Sequence, residues 1–187
     1  MRRPVDAERI RRLMRELGHE ATTDVRLYFT GGATAVLFGW RSSTIDVDLK
    51  LEPDTDRLLR AFPRIKDKLE INIELASPDQ FIPELPGWHE RSSFIAREGR
   101  LSFYHYDFYS QALAKIERGH SQDRLDVRQM LERGLIDPTE LRQRFEEIEP
   151  LLYRYPAVDP ADFRRALGEA LGEEGSSEEH QEGKPCT

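Results

Sequence analysis

Cysteine is almost absent from the 187-residue chain: Cys186, next to last, is its only one. A disulfide framework and a cysteine-based metal centre are thereby excluded. No apolar run approaches the roughly 20 residues that a membrane-spanning helix needs. No signal peptide opens the sequence either, so a soluble, cytoplasmic protein with no membrane partner is expected. Net positive charge is lacking too. The formal net charge is −7, and residues 168–187, with six Glu and one Lys, carry −5 of it. A basic nucleic-acid footprint over the whole chain is excluded, though a local groove is not. The five histidines (His19, His89, His105, His120 and His180) show no metal-ligand spacing, and no Ser/His/Asp arrangement stands out. A Walker loop and a Gly-x-Gly-x-x-Gly fingerprint are also missing.

What is present concentrates in residues 28–50, YFTGGATAVLFGWRSSTIDVDLK. An apolar run (Leu27, Tyr28, Phe29) breaks at Gly31-Gly32, and a short apolar segment follows over residues 33–38. After a polar turn (Arg41, Ser42, Ser43) comes the alternating Thr44-Ile45-Asp46-Val47-Asp48-Leu49. The pattern predicts strand, glycine turn, short helix, loop, strand. Paired glycines between strand and helix permit a sharp turn and close approach to a ligand. The helix N-terminal N–H groups then offer a phosphate site. On the second strand Asp46 and Asp48 share one face, while Ile45, Val47 and Leu49 point to the core. Adjacent carboxylates repel, and a hard divalent cation such as Mg²⁺, shared with substrate phosphates, relieves that cost.

Gly-Gly, a short helix, Arg41-x-x-Thr44 and Asp46-x-Asp48 together resemble the signature of the nucleotidyltransferase superfamily, the DNA-polymerase-β-like fold. Within it the chain is similar to small bacterial proteins of the AbiEii toxin type, over residues 24–131. The resemblance implies an α/β (α+β) fold, a small mixed sheet flanked by helices. It further implies transfer of a nucleoside monophosphate from a nucleoside triphosphate to an acceptor hydroxyl, with Mg²⁺ or Mn²⁺. The metal would be held by Asp46, Asp48 and a third carboxylate on the neighbouring strand, Glu74, although many relatives carry Asp there. Gly31, Gly32, Ser43 and Thr44 would cradle the triphosphate and Arg41 would offset its charge; Gly32 stands where many relatives have Ser. The stretch QALAKIERGHSQDRLDV resembles the helical motif of the same proteins. It places Lys115 on the triphosphate and Asp123 near the catalytic centre, with Arg118 and His120 in support. An RNA acceptor and a cognate antitoxin are implied partners, while a protein side chain or an antibiotic hydroxyl remain alternative acceptors. The other reading is a catalytically inactive fold used for nucleotide binding or protein interaction.

Around this unit, residues 6–17 have the spacing of an amphipathic helix with Gly18 as its stop. Its arginines (Arg9, Arg11, Arg12, Arg15) could touch nucleic acid, but such a row is more often a solvated helix face. Residues 54–62 read as a helix capped by Asp54 and ended by Pro63. Residues 69–75, LEINIEL, alternate as a third strand with Leu69, Ile71, Ile73 and Leu75 on one face. The proline-rich residues 77–88 read as loop, and residues 91–97 with 100–106 as a hairpin whose aromatics cover the core. Helices follow from Asp107 to a stop at Gly119, from a Ser121 cap to Gly134, from Pro138 and from Pro160. Asp123 and Asp126 each have an ordinary account as well, the first by the helix dipole and the second by pairing with Arg118 or Arg133. The expected organisation is a nucleotidyltransferase-like core over residues 1–106, a helical part over 107–172 and a disordered acidic tail over 173–187.

Overall fold

The computed structural model describes residues 3–173. The tail beyond Glu173, with His180 and Cys186, lies outside them. A five-stranded mixed sheet in the order β3-β2-β1-β5-β4 forms the centre. Strand β1 (Val25–Phe29) runs antiparallel to β2 (Asp46–Glu52) and parallel to β5 (Leu101–His105). Outside these, β3 (Asn72–Leu75) is parallel to β2, and β4 (Ser93–Glu98) forms a hairpin with β5.

The two faces of β2 decide the layout. Val47, Leu49 and Leu51 point into a core shared with α1 (Ala7–Glu20) and α3 (Asp56–Leu69). Asp46, Asp48, Lys50 and Glu52 alternate onto the opposite face. That face is closed over Tyr28 by Trp88 and Tyr106, whose rings stack 4.2 Å apart, with Trp88 opening the short helix α4 (Trp88–Arg91). A second core joins α5 (Phe108–Arg118), α6 (Ser121–Glu132), α7 (Pro138–Ile148) and α8 (Pro160–Ala170).

Several elements differ from the sequence reading. Helix α1 runs past Gly18, whose missing side chain admits β4: a Cβ there would lie 2.4 Å from that of Glu98. Helix α3 starts after Thr55, not Asp54, and passes through Pro63. The proline costs one backbone bond, while buried Ile65 and Leu69 favour continuing the helix. Leu69 thus belongs to that helix, Glu70 turns left-handed at φ 52°, and β3 is only four residues long. Residues 77–88 are not all loop, since Pro78–Gln80 form a 3₁₀ turn and Trp88 is helical. Ile45, Leu75 and Phe94 stand exposed rather than in the core, because β2 begins only at Asp46 and β3 and β4 are edge strands. At α6 the capping position is His120, and Ser121 is the first helical residue. Asp107, Gly119 and Pro138 occupy the cap, stop and first-turn positions that the sequence predicts. Arg9 is not simply solvated: its guanidinium donates to the carbonyls of Leu69 and Glu70 and ties α1 to the end of α3.

Candidate active site

The glycine turn opens α2 (Gly31–Leu37), directly after β1. Gly31 has φ +54°, and a Cβ there would stand 2.8 Å from the Asp48 Oδ2. At Gly32 a Cβ would fall 2.1 Å from the Thr44 Oγ1. Both glycines are therefore dictated by what presses on the turn, the carboxylate of β2 and the threonine of the preceding loop. Thr44 is fixed in turn. Its hydroxyl donates to the Asp46 carbonyl at 3.0 Å, and it exchanges backbone hydrogen bonds of 2.7 and 2.9 Å with Val5.

These groups line a cavity of about 390 Å³. Gly31 and Gly32 form one wall, with Arg41, Ser43, Thr44, Asp46 and Asp48 beside them. Lys115, Arg118, His120 and Asp123 come in from α5 and the start of α6. Residues predicted from two distant stretches thus meet in one space.

Glu74 sits differently. Parallel pairing sets Asp48 opposite Glu74 and Asp46 opposite Asn72. The Asn72 amide bridges the two strands, donating to Asp46 at 2.8 Å and to Glu74 at 2.7 Å. Glu74 borders a narrower neighbouring cavity of about 140 Å³, which shares Gly31, Asp48, Lys115 and Arg118 with the first. Asp48 stands between the two spaces. Burial, and then the carboxylates of Glu74 and Asp46, push the Asp48 carboxyl up to about 6 against the pull of Arg118 and Lys115. Among the described residues no three His, Cys, Asp or Glu side chains converge into a metal cage. Asp46 and Asp48 still border one cavity with oxygen ligands only, and Mg²⁺ commonly takes one or two carboxylates and completes its shell with water and substrate phosphates.

The cations of the site are anchored. Lys115, 4% exposed, donates to Asp123 at 3.0 Å and to Asp126 at 2.7 Å, so it is a fixed charge and not a mobile one. Arg118 binds both oxygens of Asp123, at 2.8 and 2.7 Å. Burial alone would raise the Asp123 carboxyl, but the Arg118 hydrogen bonds and the Lys115 charge hold it below the usual carboxylate range. Asp126 pairs with neither Arg118 nor Arg133. It accepts from Trp40, from Arg41 through two nitrogens, and from Lys115. The one sequence signal for this place is its spacing of three from Asp123, which puts both on one helix face.

Gln111 was missed altogether. Its Oε1 accepts from the Gly31 N–H at 2.9 Å and its Nε2 donates to the Tyr106 carbonyl at 2.7 Å. The Gly31 N–H, expected to face phosphate, is thus taken up by α5. Gln111 opens the QALAKIERGHSQDRLDV stretch, and nothing in that stretch marks it as a partner of the glycine turn.

A mixed sheet flanked by helices, with Asp-x-Asp on the strand beside a glycine turn, defines a fold of the nucleotidyltransferase class. The sequence profile of a family described as "Nucleotidyltransferase of unknown function (DUF6036)" matches residues 8–164, and the chain belongs to that family. No curated protein and no solved structure matches it. No helix among the described residues is long and apolar enough to cross a membrane.

Proposed function

We propose that this chain is a Mg²⁺-dependent transferase that moves a nucleoside monophosphate from a nucleoside triphosphate to an acceptor hydroxyl. The observation that carries the reading is the single cavity in which Asp46 and Asp48 meet Arg41, Lys115 and Arg118 beside Gly31 and Gly32. Asp46 and Asp48 would hold Mg²⁺ or Mn²⁺, with Glu74 at the edge of that set. When bound, the ion offsets charge on the phosphates and the departing pyrophosphate. The rest is positioning by the chain's own side chains. Arg41, Lys115 and Arg118 hold triphosphate oxygens, and the hydroxyls of Ser43 and Thr44 border the same space. Asp123 keeps Lys115 and Arg118 in place. The acceptor enters beside Glu74, which takes its hydroxyl proton as the oxygen bonds to the α-phosphorus. The bond from that phosphorus to the bridging oxygen breaks, and pyrophosphate leaves.

Likeness to AbiEii-type toxins favours RNA as the acceptor and an antitoxin as partner protein. A second reading, binding without turnover, draws on the absence of a three-ligand cage among the described residues and on the Gly31 N–H being taken by Gln111. Incubation with each labelled nucleoside triphosphate, Mg²⁺ and total cellular RNA separates the two. Label on RNA or protein with the wild type, and none with Asp48→Ala, is the expected result. Metal-dependent nucleotide binding without label on either would move the assignment to the second reading.

A further inference from the structure

We infer that Asp126 is the residue that positions both Arg41 and Lys115 against the phosphate cavity; the inference rests on the reading of that cavity as a triphosphate site. Asp126 is fully buried in α6 and does not line the cavity, so it touches no nucleotide itself. Its carboxylate is the one group among the described residues that binds both cations. Oδ1 accepts from Trp40 Nε1 at 3.1 Å and Arg41 Nε at 2.9 Å, and Oδ2 from Arg41 Nη2 and from Lys115 Nζ at 2.7 Å.

The two cations need such an anchor for different reasons. Arg41 stands in the irregular loop between α2 and β2, where no regular element fixes its side chain. With Nε and Nη2 committed to Asp126, its Nη1 is left 3.5 Å from the place a Cβ on Gly32 would occupy, at the wall of the cavity. Lys115 has a four-carbon stem with many rotamers, and among the described residues its ammonium is held between Asp126 and Asp123. A buried carboxylate thus settles where two charges from separate parts of the chain sit before any phosphate arrives. Donors held in place in advance need no reorganisation when charge develops. Three cations (Arg41, Lys115, Arg118) share two buried carboxylates, which leaves this cluster one net positive charge opposite the Asp46 and Asp48 wall of the cavity.

The test is calorimetric binding of inorganic triphosphate, and of each nucleoside triphosphate, to the full chain in Mg²⁺. Asp126→Glu keeps the charge but moves the carboxylate by one methylene. It should weaken binding by about tenfold or more, the worth of one charged hydrogen bond. The extra methylene in a fully buried site should also lower the melting temperature, so affinity is read per folded molecule. Asp126→Asn should weaken it further. Asp107→Asn serves as the comparison, because Asp107 is an equally buried carboxylate paired with Arg91 away from the cavity. It should lower the melting temperature and leave the affinity unchanged. In turnover, the Asp126 variants should raise KM for the nucleotide, whereas a merely smaller folded fraction would lower kcat alone. Wild-type affinity in Asp126→Glu would overturn the proposal even if Asp126→Asn fails to fold. Absence of triphosphate binding by the wild type would instead remove the reading of the cavity, and the proposal with it.

Discussion

Burial and the neighbouring carboxylates of Glu74 and Asp46 lift the Asp48 carboxyl to about 6, against an ordinary value of 3.8. A raised folded-state value means that the native chain holds this proton more tightly than the unfolded chain does. The stabilisation is complete below about pH 4 and is lost as pH rises through 6, so at neutral pH the ionised carboxylate works against the fold. Asp48→Asn should therefore abolish transfer and still melt a few degrees higher than wild type at pH 7.5, a gain on the order of 1–3 kcal/mol. A lower melting temperature in that variant would show that the carboxylate is stabilised by contacts stronger than its repulsions. The same titration governs metal binding: apparent Mg²⁺ affinity should fall about tenfold per pH unit below 6. Gly32 offers a steric counterpart. Gly32→Ala puts a methyl into the Thr44 hydroxyl and should cost about 1–3 kcal/mol in urea unfolding. Adding Thr44→Gly to the same chain should recover much of the loss. Asp46, Asp48, Gly31 and Gly32 were legible in the sequence because they lie on one short unit with a readable period. Gln111 and Asp126 act across 80 and 85–86 positions, and no local pattern encodes such a partnership.

Among the elements, those with explicit punctuation were read well. The Asp107 cap and Gly119 stop of α5 are local chemistry, and local chemistry is what a sequence displays. The alternation of β2 is equally plain, because one face meets a core and the other a cleft. Residues 69–75 misled because Leu69 and Ile65, four apart, satisfy a helical stripe as well as Leu69 and Ile71 satisfy a strand. Gly18 misled because a glycine required by a neighbouring strand looks the same as a helix stop. Its true role can be measured. Gly18→Ala would drive a Cβ to 2.7 Å from the Glu98 carbonyl oxygen, a backbone atom that cannot rotate away. The substitution should cost at least about 1–3 kcal/mol and leave triphosphate affinity intact. A neutral outcome would mean that β4 shifts freely along α1.

Across the whole molecule, two buried groups of opposite tendency shape the acid response. His105 lies in the sheet against Phe38, 4.5 Å between ring centres, and burial pushes it down to about 4. Its contribution is present above its ordinary 6.5 and is lost as pH falls through 4, while that of Asp48 grows over nearly the same interval. Wild-type stability should thus vary little between pH 6.5 and 4.5. The Asp48→Asn variant, in which nothing from Asp48 offsets the His105 response, should decline over that range in thermal melts. Parallel curves for the two proteins would contradict the assignment of the raised value to Asp48.

The exchange of backbone hydrogen bonds between Val5 and Thr44 carries a practical meaning for anyone handling this protein. The fifth residue is a structural neighbour of the loop whose threonine presses on the glycine turn, so the segment just before α1 is no neutral handle. An affinity tag fused tightly to it would be an accidental effector, pulling on the cavity from outside. A tag carried on a long polar spacer leaves that strap slack, and a chain shortened to begin at Asp6 loses it altogether.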